Sequence, residues 1–302
     1  MNPILAAWLH AFRLRTLPLA MSAIIVGSFL SYSTAFDGIT FMLAIVTTLL
    51  LQILSNLAND YGDSQKGTDN DQRVGPTRAI QSGVLSFQQM KMAITINVIL
   101  CLITGVYLVF YALQNSLIVV GFIALGIAAI AAAIKYTMGK SAYGYMGLGD
   151  VFVLLFFGFV GVMGSAYLQT QTIANDSWMM ALAIGFFATA VLNLNNMRDR
   201  ESDAAGNKNT LVVKIGAKRA VVYQNTLVMG GIVASFVYLF QHALSWIYFL
   251  PMLSYPLFVI FLIQTQKVVT PKAYDPFLKK QALTTFLFAM LFMIGAMMQA
   301  AL

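Results

Sequence analysis

The sequence is short of most of what a soluble enzyme is built from. Only 10% of its 302 residues are charged, and it has one cysteine and two histidines. Soluble domains carry about 25% charged residues, so a soluble globular enzyme is excluded. Cys101 stands alone inside an apolar run, so the chain can form no internal disulfide, no CxxC redox centre and no thiolate metal cluster. His10 and His242 are far apart, which argues against an imidazole-held metal and leaves carboxylates as the ligands for any bound ion. Neither the P-loop pattern GxxxxGK[ST] nor a glycine-rich dinucleotide fingerprint is present. The net charge is +7, yet no basic run or soluble basic domain carries it, so nucleic acid is not a partner. The first sixteen residues lack the order of a cleaved signal peptide. Membrane insertion is expected to use the first span itself.

What is there is apolar. Hydrophobic residues make up 59% of the chain and the mean hydropathy is +0.78. A bilayer-spanning helix needs about 20 mostly apolar residues. Apolar runs broken by polar stretches predict nine spans near 17–36, 41–58, 92–112, 117–134, 151–169, 178–197, 220–241, 245–263 and 281–300. The chain is therefore expected to be an all-α polytopic membrane protein forming a single domain over residues 1–302. All 18 Lys and Arg residues fall in the N-terminal segment and in every second loop, and the opposite loops hold none. The positive-inside rule makes that side cytoplasmic and puts the N-terminus there. Nine of the eleven acids lie on the same side, Asp37 and Asp176 being the exceptions. The longest loops on that side follow spans two and six, and each opens with an Asn- and Asp-rich segment. This predicts two four-helix pseudo-repeats in parallel orientation plus one further helix. The spacing of Gly121 and Gly126 is read as a helix-packing feature.

The polar chemistry lies in those two segments. Span two ends Ser55-Asn56-Leu57-Ala58-Asn59-Asp60-Tyr61-Gly62-Asp63. At 3.6 residues per turn, Asn56 stacks above Asp60 and Asn59 above Asp63, so the four share one face. Span six ends in a stripe of Asn195, Asp199 and Asp203 at i, i+4 and i+8. Such groups near a membrane are costly unless they face a polar cavity. Two acidic stripes facing each other repel unless a cation sits between them, and replacing one acid should then spare the fold. Mg²⁺ fits such a place, because it prefers oxygen ligands and is shared between one or two carboxylates and substrate phosphates. A phosphate-bearing substrate is therefore expected. The basic residues Arg73, Arg78, Lys140, Arg198 and Lys208 lie near the stripes, and Arg78, Lys140 and Lys208 are the candidates for holding the phosphate.

The pairing of Asn59-Asp60-x-x-Asp63 with Asn195-x-x-x-Asp199-x-x-x-Asp203 on a nine-helix scaffold resembles the UbiA-type superfamily of intramembrane prenyltransferases. Four further segments look like its menaquinone-pathway branch: Arg13-Leu14-Arg15-Thr16-Leu17-Pro18, Gly75-Pro76-Thr77-Arg78, Tyr143 through Asp150, and Asn195 through Leu211. The chain departs from the family pattern at Gly67, where a third Asp often stands, leaving Asp69 or Asp71 to complete the first metal shell, and at Asn195, where Asp is common.

The resemblance implies a UbiA-type fold and Mg²⁺ held by Asn56, Asp60, Asp63, Asp199 and Asp203, the four aspartates being the catalytic acids. It implies substrate contacts from Asn56, Asn59, Arg78, Lys140, Tyr143, Asn195, Arg198 and Lys208. The implied reaction transfers a polyprenyl group from polyprenyl diphosphate to 1,4-dihydroxy-2-naphthoate, with loss of CO₂ and diphosphate, giving demethylmenaquinone. Tyr61, Tyr136, Tyr143 and Tyr145 would offer ring faces to a carbocation or form an interfacial aromatic belt. The prenyl tail would lie between helices against the lipid bilayer of a bacterial cytoplasmic (inner) membrane. Two alternatives stay open: prenyl transfer to another acceptor, such as 4-hydroxybenzoate or haem, and transport of a phosphorylated solute. Transporters place polar groups at mid-bilayer, whereas these acids cluster at one membrane face.

Overall fold

The computed structural model describes residues 2–68 and 74–302. Among these residues there is no strand, and nine helices are long and apolar enough to cross a membrane. They are α1 (Pro3–Phe29), α2 (Gly38–Gln65), α3 (Phe87–Ala112), α4 (Ser116–Lys135), α5 (Gly149–Thr170), α6 (Ser177–Ala205), α7 (Leu211–His242), α8 (Trp246–Gln266) and α9 (Pro271–Ala300). Each corresponds to one predicted span. Most are longer than the apolar run that announces them. Hydropathy marks the part of a helix that suits lipid, whereas backbone hydrogen bonding carries the helix on into polar sequence.

Helix starts are set by local side chains. Asp37 caps α2 by accepting from the Thr40 amide at 2.6 Å, Ser86 and Gln89 form a reciprocal capping box at α3, and Asn115 and Thr210 cap α4 and α7. The first span departs most from expectation. Its helix ends at Phe29, not near residue 36. The hydrophobic residues beyond belong to a turn whose Tyr32 and Phe36 pack ring against ring with Phe29 at the end of α1 and Phe41 in the first turn of α2. Earlier in the same span, Arg13 takes a left-handed conformation (φ 49°), a 3₁₀ turn covers Leu14–Thr16, and Pro18 sits in the first turn of the resumed helix. This break places Arg13 and Arg15 at the wall of the cavity described below.

Central packing runs through α1, which touches α2, α5, α6 and α9. Helix α5 widens to a π-helix over Leu154–Met163, and Gly158 lets it approach α6, since a Cβ there would lie 2.5 Å from the Ala181 carbonyl oxygen. Phe187, Phe258 and Phe288 are fully buried among α6, α8 and α9. Gly121 and Gly126 of α4 correct the expectation made of them: a Cβ at either would meet nothing within 4 Å. They mediate no packing inside the chain.

Candidate active site

The helices enclose a cavity of about 620 Å³. At the end where the Asn- and Asp-rich segments lie, its wall is polar: Asn56, Asn59, Asp63, Arg78, Asn195, Arg198, Asp199 and Lys208 all contribute. Further in, it is lined by apolar side chains such as Leu51, Phe122, Phe156 and Leu168. Leu102 and Val106 of α3 and Ile127 of α4 belong both to this wall and to the exposed exterior. The cavity thus reaches the lipid-facing surface between those helices.

The first stripe continues helix α2 past the apolar run, as its spacing predicts. Asn56 is buried and donates to the Phe12 carbonyl at 3.0 Å, which fastens α2 to the break in α1. Asp60 is fully buried beneath two guanidiniums. Arg13 donates to its Oδ1 at 2.6 Å, and Arg78 Nε lies 3.3 Å from the same oxygen. Asp60 Oδ2 is buried without a hydrogen-bond partner. Asp63 accepts from the Tyr145 hydroxyl at 2.8 Å and from Lys208 Nζ at 3.2 and 3.4 Å. Gly62 lies between them because the α4–α5 loop passes close by: a Cβ would fall 2.6 Å from Thr137 Oγ1 and 2.8 Å from its backbone carbonyl carbon. Thr137 in turn donates to the Ala58 carbonyl at 2.9 Å.

In the second stripe, Arg198 is among the most buried side chains of the protein. It grips Asp199 through Nε and Nη2 at 2.8 and 2.6 Å, Asn195 Oδ1 at 2.9 Å and Asp275 of α9 at 2.5 Å. Arg15 lies 3.7 Å from the other Asp275 oxygen. Asp203 faces Lys208, with 3.9 Å between the charged atoms. Lys208 therefore joins the two stripes. Burial alone would discharge its ammonium, but Asp63 and then Asp203 hold its pKa well above the usual lysine range. Burial, reinforced by the Asp63 charge, pushes the Tyr145 phenol up, so it stays a neutral hydrogen-bond donor to that carboxylate.

Where the sequence predicts a divalent ion between the stripes, the structure places the Lys208 ammonium, 3.2 Å from Asp63 and 3.9 Å from Asp203. The five side chains expected to share one ion do not converge on a point. Among the described residues, no three acid, histidine or cysteine side chains gather closely enough to hold a metal. Asn56, Asp63 and Asp199 line the cavity, whereas Asp60 and Asp203 lie behind its wall. The physical reason is that each carboxylate has drawn an Arg or Lys against it. This also runs against the expectation that removing one acid relieves repulsion, because losing Asp60 would remove the buried carboxylate that Arg13 and Arg78 share.

Lys140 is exposed in the α4–α5 loop and is absent from the cavity wall, so the structure does not bring it to the other candidates. Tyr143 is brought in. Its ring lines the cavity, stacks on Phe152 at 3.8 Å and meets Tyr136 edge-on at 5.3 Å, and its hydroxyl donates to the Ala132 carbonyl. Burial pushes the Tyr136 phenol up to about 12. Tyr61 packs on Phe87, outside the cavity. Asp69, Asp71 and Arg73 lie outside the described residues. Sequence reasoning gave no individual role to Arg13, Arg15 or Asp275. Its available signals were the Arg-x-Arg pair just before a span and a lone acid in an otherwise basic loop.

The sequence and the fold are both similar to those of known proteins. The 1,4-dihydroxy-2-naphthoate octaprenyltransferase of Escherichia coli is 45% identical over 293 residues, covering 96% of this chain and 94% of its own length. The protein of the same name from Haemophilus influenzae is 41% identical over 297 residues, covering 97% and 96%. Two solved structures share the fold. A UbiA homolog from Archaeoglobus fulgidus bound to DMAPP and Mg²⁺ superposes with a TM-score of 0.64 at 14% identity, over 95% of this chain and 99% of that one. The apo UbiA homolog from Aeropyrum pernix K1 gives 0.66 at 13%, over 96% and 97%. Residues 20–279 match the family model described as the UbiA prenyltransferase family, and the chain belongs to that family.

Proposed function

We propose that the protein transfers a polyprenyl group from a polyprenyl diphosphate to 1,4-dihydroxy-2-naphthoate, releasing CO₂ and diphosphate and yielding demethylmenaquinone as its hydroquinone. The observation that carries this reading is the cavity, charged at one end, apolar along its length and open to the lipid-facing side. A diphosphate with a long hydrocarbon tail has the same division. The full-length relatives with 41% and 45% identity support the choice of acceptor. The charged end faces the cytoplasm of a bacterial cell, following the one-sided Lys and Arg.

Mg²⁺ fits the donors present. They are all oxygens, Asp60 Oδ2 is buried and unpartnered, and each stripe offers a carboxylate to the cavity. One or two carboxylates together with substrate phosphate is the way Mg²⁺ is usually held, in contrast to an all-protein cage. Asp63 and Asp199 would hold it, with Asp60 and Asp203 behind them and Asn56 as a neutral oxygen. When bound, Mg²⁺ supplies positive charge to the leaving diphosphate.

The chain's own residues do the rest. Arg78 and Lys208 stabilise the charge that grows on the diphosphate as the allylic C–O bond breaks, and Asn59, Asn195 and Arg198 line the same end. Tyr143, backed by Phe152 and Tyr136, turns an aromatic surface towards the resulting cation, while Phe156 and Phe157 keep water from it. The naphthoate ring attacks through its carboxylate-bearing carbon. The electron pair of the C–CO₂ bond returns to the ring as CO₂ leaves, so no proton has to be removed from that carbon and no general base is required there.

The test is to incubate purified protein with Mg²⁺, a polyprenyl diphosphate and a panel of aromatic acceptors, and to weigh the products. Prenylated naphthoquinol with one CO₂ released per turnover is expected. Preferred turnover of 4-hydroxybenzoate without CO₂ would overturn the choice of acceptor.

A further inference from the structure

Lys208 is carried by a short strap between α6 and the main body of α7. Asn207 (φ 55°) and Gly216 (φ 79°) bound the strap, both left-handed, and Gly216 breaks α7 shortly after its start. The strap is tied to the α4–α5 loop, where the Asn209 amide donates to the Tyr145 carbonyl at 3.2 Å and Lys214 Nζ to the Met146 carbonyl at 2.6 Å. From this mount the Lys208 side chain, 8% exposed, reaches inward. Its ammonium stands 3.2 Å from Asp63 and 3.9 Å from Asp203, the one pair of residues through which the stripes are bridged among the described contacts.

A buried ammonium is costly unless paired, and one of the two carboxylates it neutralises, Asp63, is one that the divalent ion proposed above would need. Adding that ion alone would set a dication beside a buried ammonium, and this repulsion is strong where water is excluded. Diphosphate removes the conflict, because it gives the ammonium another anion within reach of its four-carbon stem.

We infer that Lys208 is a resident counter-cation that fills the gap between the two acidic stripes in the substrate-free protein and moves onto the diphosphate only when metal and diphosphate arrive together. The strap then enforces an order: the site does not load with metal before its donor substrate. This rests on the metal–diphosphate reading proposed above and adds to it a competition that the reading does not require.

The experiment measures free Mn²⁺ by electron paramagnetic resonance during titration of the full chain in detergent, with and without an unreactive prenyl thiodiphosphate. Wild-type protein should bind Mn²⁺ weakly alone and far more tightly with the analogue. Lys208→Met should bind Mn²⁺ alone about tenfold more tightly than wild type, since an opposing charge is gone, and should lose most of the gain from the analogue. Lys208→Arg, which keeps a cation on the strap, should follow the wild type. Lys208→Gln is a second neutral variant, and whichever of the two keeps the wild-type melting temperature is used. A folded neutral variant that binds Mn²⁺ alone no better than wild type overturns the inference while leaving the metal reading standing, provided the analogue still promotes binding. If no protein binds Mn²⁺ in either condition, the metal reading fails and takes the inference with it. In wild type alone, equal Mn²⁺ affinity with and without the analogue also overturns it.

Discussion

Asp60 and Asp199 differ in what surrounds them, and the difference separates catalytic from structural loss. Asp60→Asn removes the buried carboxylate that Arg13 and Arg78 share. It should lower turnover by a hundredfold or more and also destabilise the fold by about 3 kcal/mol. Asp199→Asn should cost as much activity but less stability, because Arg198 keeps Asp275. The double variant should lose little more turnover than either single one, as residues acting as a unit do. Paired activity assays and thermal melts check this, and additive losses of turnover would show two independent sites. At this scale the stripes were legible because i, i+4 periodicity is local. Their partners were not. Arg13 is 47 residues from Asp60, and Lys208 is 145 residues from Asp63, so only the fold brings them together. Lys140 misled for the same reason: proximity in sequence to a Tyr- and Gly-rich loop says nothing about which way the loop turns.

For helices, hydropathy located all nine spans but not their ends, because it reports the lipid-facing portion alone. The break in α1 was hidden by two arginines that served equally well as topology signals. Glycine roles were also illegible, since they depend on what lies opposite. Gly158→Ala puts a methyl group 2.5 Å from a backbone oxygen that cannot step aside, and should cost about 1–3 kcal/mol. Gly121→Ala meets open space on an exposed helix face and should change stability by no more than about 0.5 kcal/mol. Melting temperatures of the two variants in one detergent decide the matter, and equal shifts would contradict the packing described for α5 against α6.

For the whole molecule, the one-sided distribution of Lys and Arg predicts that the charged end of the cavity faces the cytoplasm. With Cys101 replaced by Ser, a cysteine introduced at Ala205 should react with a membrane-impermeant thiol reagent in inverted vesicles and not in intact cells. Labelling from outside would reverse the topology. Adding a chelator should abolish turnover and added Mg²⁺ should restore it; turnover that survives metal removal would contradict the proposed chemistry. The sideways opening between α3 and α4, where Leu102, Val106 and Ile127 are at once wall and exterior, has a consequence for product identity. A closed pocket measures its guest, but an open-sided one measures only the portion it encloses. Homologous donors that differ only in isoprene units beyond the opening should be used with nearly equal kcat/KM, so the length of the quinone side chain is decided by whatever synthesises the diphosphate.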